Sequence, residues 1–179
     1  MDGEELEQSI EAMLPECLYL SDFSGNFQDY ISAVYEVFCK DFVDSRPKFR
    51  GKRLALKKYP ITDGWEATFY HLTHEGEDEQ NRTPCMQRCE RIPWLRMAIE
   101  QCDSLGLKVW PQTRKGKTRI CIWVELEHQP DHFIILDDRG DYILLWTAYP
   151  LTYKHQKEKK RKEYGDYIKT LRTQQGPPT

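Results

Sequence analysis

Beyond Gly106 the chain consists of strand-forming stretches cut by two turn sequences, and this limits its fold more than any other feature. Leu107–Trp110 and Thr118–Glu125 flank Arg114-Lys115-Gly116-Lys117. Phe133–Leu136 and Tyr142–Thr147 flank Asp137-Asp138-Arg139-Gly140-Asp141. The four stretches are rich in β-branched and aromatic residues, and each polar spacer carries a glycine, so each pair reads as a hairpin. Four sequential antiparallel strands make a meander.

The chain before the meander reads differently. Residues 3–13 predict a short acidic helix that stops at Pro15, and Ser24 can cap a second helix of about 17 residues. In that helix Phe27, Ile31, Val34, Tyr35 and Phe38 fall on one face of a 3.6-residue period. Arg53–Lys57 and Trp65–Leu72 read as strands, the second entered through the turn Thr62-Asp63-Gly64. Residues 75–84 are polar and acidic and read as a mobile loop. Pro93 places a helix at 93–103, and Gly106 fits its stop. A basic helix over about 152–171 closes the chain, followed by a frayed tail from Gln174. Helices first, then strands, then a helix is an α+β order: N-terminal helices packed on a mostly antiparallel sheet of four to five strands.

Charge divides the 179 residues unevenly. Residues 1–45 hold eleven Asp or Glu and one lysine. The rest is basic, with dense runs at 46–58 (seven bases, no acid) and 154–172 (eight bases, three acids). The expected organisation is an acidic helical segment, 1–45, followed by a basic α+β domain, 46–179. A basic body suits a polyanionic partner, and both runs carry aromatics, so Arg53, Lys57, Lys58, Trp94, Lys154, Lys157 and Arg161 are the candidate nucleic-acid contacts. Solvated charged faces would show the same runs.

Other classes are set aside by what the sequence lacks. No run approaches the length of a membrane span. The start, Met-Asp-Gly-Glu-Glu-Leu-Glu, does not follow the signal-peptide pattern, so the expected location is the cytoplasm. The six cysteines are too sparse for a disulfide scaffold, and Cys85-x-x-x-Cys89 lacks the second pair or nearby histidines of a zinc site. No phosphate-binding glycine motif, nucleophile elbow or two-metal carboxylate cluster occurs. No cofactor or metal is expected.

The remaining chemistry lies in His, Arg, Thr and Tyr. His71, at the end of the expected strand, suits proton transfer near neutral pH, although a packed histidine would look the same. His128 and His132 flank Pro130 in what reads as an ordinary turn. Arg88-Cys89-Glu90-Arg91-Ile92-Pro93-Trp94-Leu95-Arg96 crowds arginines with one tryptophan, a set suited to phosphate and base. Thr147 and Tyr149 lie two apart on the last strand and so share a face. His155 follows at the start of the basic helix, and Arg119 needs a partner or an anion if it points inward.

The strings Gly51-Lys52-Arg53-Leu54-Ala55-Leu56-Lys57, Glu66-Ala67-Thr68-Phe69-Tyr70-His71-Leu72, Arg88-Cys89-Glu90-Arg91-Ile92 and Leu145-Trp146-Thr147-Ala148-Tyr149-Pro150 resemble a group of small bacterial proteins from mobile and phage-related regions. The closing hairpins and the His/Arg/Thr/Tyr set resemble the barnase–EndoU–colicin–RelE superfamily of metal-independent ribonucleases, which includes toxins. The resemblance covers about residues 50–170. It implies a toxin- or defence-type endoribonuclease acting on tRNA or mRNA and held in check by an inhibitor or antitoxin protein. It further implies His71 or His155 as general acid/base, Arg91 and Arg119 on the phosphate, and Thr147 and Tyr149 lining the pocket. The chain departs from the barnase pattern in lacking a clear glutamate base on a central strand followed by a C-terminal histidine. A non-catalytic nucleic-acid-binding or protein-interaction domain is the competing reading. In the nuclease reading, the acidic residues 1–45 cover the basic groove.

Overall fold

The meander forms over its whole expected length in the structure, a computed structural model that describes residues 10–176. Strands β5 (Lys108–Arg114), β6 (Lys117–Val124), β7 (Asp131–Asp138) and β8 (Ile143–Leu151) pair antiparallel in sequence order. Lys115 and Gly116 both take positive φ (50° and 74°), as a two-residue hairpin turn matched to strand twist requires.

The sheet is larger than the expected four to five strands. β1 (Lys48–Phe49) and β2 (Lys52–Ala55) form another tight hairpin through Arg50 and Gly51, both at positive φ. β2 joins β8 in parallel, giving six strands in the order β1-β2-β8-β7-β6-β5. β2 overlaps the expected strand Arg53–Lys57, whereas β1, two residues long, is too short to show a strand period.

The helices sort onto the two faces. α1 (Phe27–Phe38) is capped by Asn26, whose side chain accepts from Asp29 N. Ser24, the expected cap, instead takes left-handed φ at the end of a preceding 3₁₀ turn, Leu20–Phe23. α1 runs on through a π turn, Cys39–Asp44. Residues 10–13 are helical, and the rest of the expected acidic helix lies outside the described residues. Ile10, Tyr30, Ile31, Val34 and Phe38 share one core with Leu95 and Ile99 of α4 (Ile92–Glu100) and with Ile122, Ile134 and Leu145 of the sheet. On the opposite face Trp110, Cys121, Trp123 and Phe133 lie under α5 (Lys154–Gln174), which docks through Tyr164 and Tyr167.

Trp65–Leu72 is not a strand. Residues Ala67–Thr73 form a helix, α2, with every residue buried except His71. A helix buried almost all round shows no polar face, and its continuous apolar string is indistinguishable from a buried strand by period alone. Lys57 N donates to Thr68 Oγ1 at 2.7 Å, and Thr73 Oγ1 donates to Phe69 O at 2.7 Å, so the buried hydroxyls are satisfied. The chain continues through β3 (His74–Glu75) and β4 (Thr83–Pro84), which pair with each other. The expected loop between them is a hairpin end organised by Asp78, whose carboxylate accepts from Gln80 N and Asn81 Nδ2. α3 (Met86–Glu90) leads directly into α4.

Candidate active site

His71 is the one residue of α2 that reaches the surface, with 12% of its side chain exposed. Its Nε2 lies 2.9 Å from Glu79 Oε2 on the hairpin end. Glu79 Oε1 accepts from Arg82 Nη2 at 3.0 Å, so one carboxylate holds both groups. The imidazole stands edge-on to Trp146, with ring centroids 6.0 Å apart.

Trp146 is aimed by a β-bulge. Ile135 pairs with Thr147 and Leu136 with Leu145, so Trp146 is the extra residue of β8. Bulges break the alternation of a strand and re-aim side chains. The guanidinium of Arg119 stacks 4.4 Å from the Trp146 centroid, and Lys57 Nζ lies 5.9 Å from it. Arg119, Cys121 and Trp123 alternate along β6 and share the α5 face, but Arg119 lies at the end towards the β5–β6 turn. Thr147 donates its hydroxyl to His71 O at 3.3 Å, tying α2 to β8. Buried Asp137 balances part of the charge, 3.9 Å from Arg119 and 2.8 Å from Arg139.

Burial lowers the His71 pKa, and the neighbouring charges of Arg82 and Lys57 act in the same direction against the raising effect of Glu79. The imidazole is therefore neutral at pH 7. With Nε2–H directed at Glu79, its Nδ1 carries the lone pair, which is the state of a general base.

Of the expected site residues, His71, Arg119 and Thr147 come together here. Arg53, Lys57 and Lys58 are exposed on an adjoining cleft of about 530 Å³ that Arg139 also lines. Each base leans on an aromatic: Arg53 on Tyr142 (5.2 Å), Lys57 on Trp146 and Lys58 on Tyr59 (5.6 Å).

The others lie elsewhere. Arg91 is 5% exposed and is held by Gln87 O at 3.0 Å and Glu90 at 3.2 Å. Trp94 lies in the core, 2% exposed, with Nε1 donating to Pro15 O at 2.8 Å and the Arg91 guanidinium 5.1 Å from its ring. Lys154 faces Glu158 (3.8 Å), Lys157 faces Asp131 (3.3 Å) and Arg161 faces Glu125 (3.1 Å). His155 is exposed on the first turn of α5, stacked on Tyr153 at 5.7 Å. Five residues of extended strand between Trp146 and Leu151 span about 16 Å, which keeps His155 away from His71. Tyr149 points the same way as Thr147 but meets Arg88, whose guanidinium lies 5.7 Å from its ring. Burial pushes the Tyr149 phenol up to about 12. His128 is exposed at the turn, whereas His132 is buried on β7.

The described acidic segment packs away from Trp146. Leu18 N donates to Glu90 O and Tyr30 Oη to Leu18 O, on the α4 side of the sheet. Residues 1–9 lie outside the described residues. Burial raises the thiols of Cys85 and Cys89, the latter to about 12. No cluster of three or more potential metal ligands occurs among the described residues, and none of their helices is long and apolar enough to cross a membrane.

Glu79, Arg82 and Trp146 are not among the expected site residues, whereas Arg88 stands in the arginine string read as suited to phosphate. Trp146 stands inside the string Leu145–Pro150, and a tryptophan beside a polar strand end is a readable signal. Glu79 carried no signal, because its role depends on a hairpin that the polar loop composition conceals. Comparison with family models, curated proteins and solved structures finds no match for this chain.

Proposed function

We propose that the chain is a metal-independent endoribonuclease of toxin or defence type with His71 as its general base. The observation that carries this reading is the convergence of a neutral, carboxylate-held imidazole with Trp146 and Arg119, drawn from three elements distant in sequence. An RNA base stacks on Trp146, and Arg119 with Lys57 draws the adjacent phosphate. The 2′-oxygen attacks phosphorus as its proton passes to His71 Nδ1, forming a 2′,3′-cyclic phosphate. The 5′-oxygen leaves with a proton from solvent. The cations stabilise the charge that develops on the phosphorane. The Arg53–Lys58 cleft takes the flanking strand. The partners under this reading are tRNA or mRNA and an inhibitor protein, and the setting is the cytoplasm.

Incubation with tRNA and a long mRNA in EDTA tests the reading. Fragments ending in cyclic phosphate, absent with His71→Ala, are expected; intact RNA would refute cleavage. One observation favours a second reading, a non-catalytic RNA-binding module: among the described residues the His71 site shows no second imidazole to serve as acid. Intact RNA that still binds, with affinity lost in Trp146→Ala, would establish that module.

A further inference from the structure

Arg88 lies behind His71 and is not part of the proton-transfer group. Its Nη1 donates to His71 O (2.9 Å) and His74 O (3.1 Å), capping the end of α2. Its Nε is buried with no hydrogen-bond partner. Among the described residues Arg88 forms no ion pair. Arg88 is half-buried, with one sealed donor unpartnered and its charge met by the Glu75 carboxylate only from outside ion-pair distance, an arrangement that an anion at the guanidinium would improve.

The space for such a group is present. A cavity of about 460 Å³ is lined by Arg88 and Tyr149, with Glu75, Cys85, Tyr153 and Gln156 around it. Arg88 and Tyr149 both line this space, and the Gln156 amide beside them adds a further donor. A planar guanidinium beside a hydroxyl donor is a pairing suited to phosphate oxygens. One group opposes an anion: Glu75 lines the cavity beside Cys85.

We propose that this cavity is a phosphate-binding site, separate from the His71 centre, in which Arg88 and Tyr149 hold the oxygens of a phosphoryl group. The phosphate belongs either to the RNA chain or to a free phosphate or mononucleotide.

The test is calorimetric titration of the full chain with inorganic phosphate, cytidine 3′-monophosphate and a short 2′-O-methyl oligoribonucleotide. All titrations use a His71→Ala background, so cleavage plays no part and failure of this site leaves the His71 reading untouched. Arg88→Gln is expected to weaken phosphate about tenfold or more. Because Arg88 also caps α2, two further variants keep the test decisive if Arg88→Gln fails to fold. Tyr149→Phe is expected to weaken phosphate several-fold, and Glu75→Gln to tighten it by removing the opposing charge. Phosphate that does not bind, or binds all folded variants alike, would overturn the proposal. If Tyr149→Phe weakens the oligoribonucleotide as it weakens phosphate, the phosphate is that of the RNA chain. If only phosphate and the mononucleotide respond, the ligand is a free one.

Discussion

The imidazole Nε2 of His71 lies 2.9 Å from Glu79 Oε2, across a hairpin end that holds the carboxylate in place through Arg82. This contact fixes the tautomer of the proposed base, which makes Glu79 a positioning residue. If His71 is the base, His71→Ala lowers turnover by about 10²–10⁴-fold. Glu79→Gln leaves a smaller defect with a signature in pH. Burial already depresses the His71 pKa, so activity rises with pH through a midpoint below 6.5. Glu79 is the neighbour that raises that pKa, and its neutralisation therefore moves the acidic limb to lower pH. A pH–rate profile of both proteins checks the direction.

Trp146 and Arg119 are expected to separate stacking from charge. Trp146→Ala weakens single-stranded RNA by about 1–3 kcal/mol at any salt concentration. Arg119→Ala reduces the slope of log affinity against log salt by about one. Arg161→Ala changes that slope less, because its guanidinium already faces Glu125 at 3.1 Å. Fluorescence anisotropy over a salt series distinguishes the three; a slope unchanged by Arg119→Ala would remove that residue from the phosphate path.

Legibility in the sequence followed the reach of each interaction. The meander and the closing helix were readable because hairpin turns and amphipathic or basic helices are written in local residues. α2 was not readable, since its burial is imposed by β8, α1 and the hairpin and leaves no periodic trace. The candidate site was legible in its parts. His71, Arg119 and Thr147 stood out as polar groups on elements that read as strands. The separation of Arg91, Trp94 and His155 from them came from tertiary placement. Arg91 and Trp94 belong to the opposite face of the sheet, and His155 lies beyond the far end of β8. The bulge that aims Trp146 has no sequence mark, because Leu145, Trp146 and Thr147 differ from an unbroken strand only in register.

Asp131 is a buried carboxylate with three partners. It accepts from Trp123 Nε1 (3.0 Å) and Leu126 N (2.9 Å) and faces Lys157 Nζ (3.3 Å). Asp131→Ala strands two buried donors and one cation, a loss of about 3 kcal/mol. Lys157→Ala costs less, since both hydrogen bonds to the carboxylate remain. Urea denaturation of the two variants gives the order, and a larger loss in Lys157→Ala would show that the ion pair, not the hydrogen-bonded carboxylate, secures the β6–β7 connection.

His132 makes the fold sensitive to acid. It is 1% exposed on β7, its ring edge-on to Trp94 at 6.3 Å and its Nδ1 without a partner. Burial drives its pKa down to about 3, and the charges of Arg91 and Arg88 push the same way. Between about 6.5 and 3 the unfolded chain binds a proton at this residue that the folded chain refuses. The stability contributed by the neutral ring is therefore complete above pH 6.5 and lost as pH falls, at about 1.4 kcal/mol per pH unit in that window. His71 and His74 are shifted the same way by burial and add to the slope. His132→Leu removes the titration without breaking a bond at Nδ1, so its unfolding free energy falls less steeply from pH 6.5 to 4. Denaturation at several pH values measures both slopes, and parallel slopes would mean that the His132 ring takes up its proton in the folded protein.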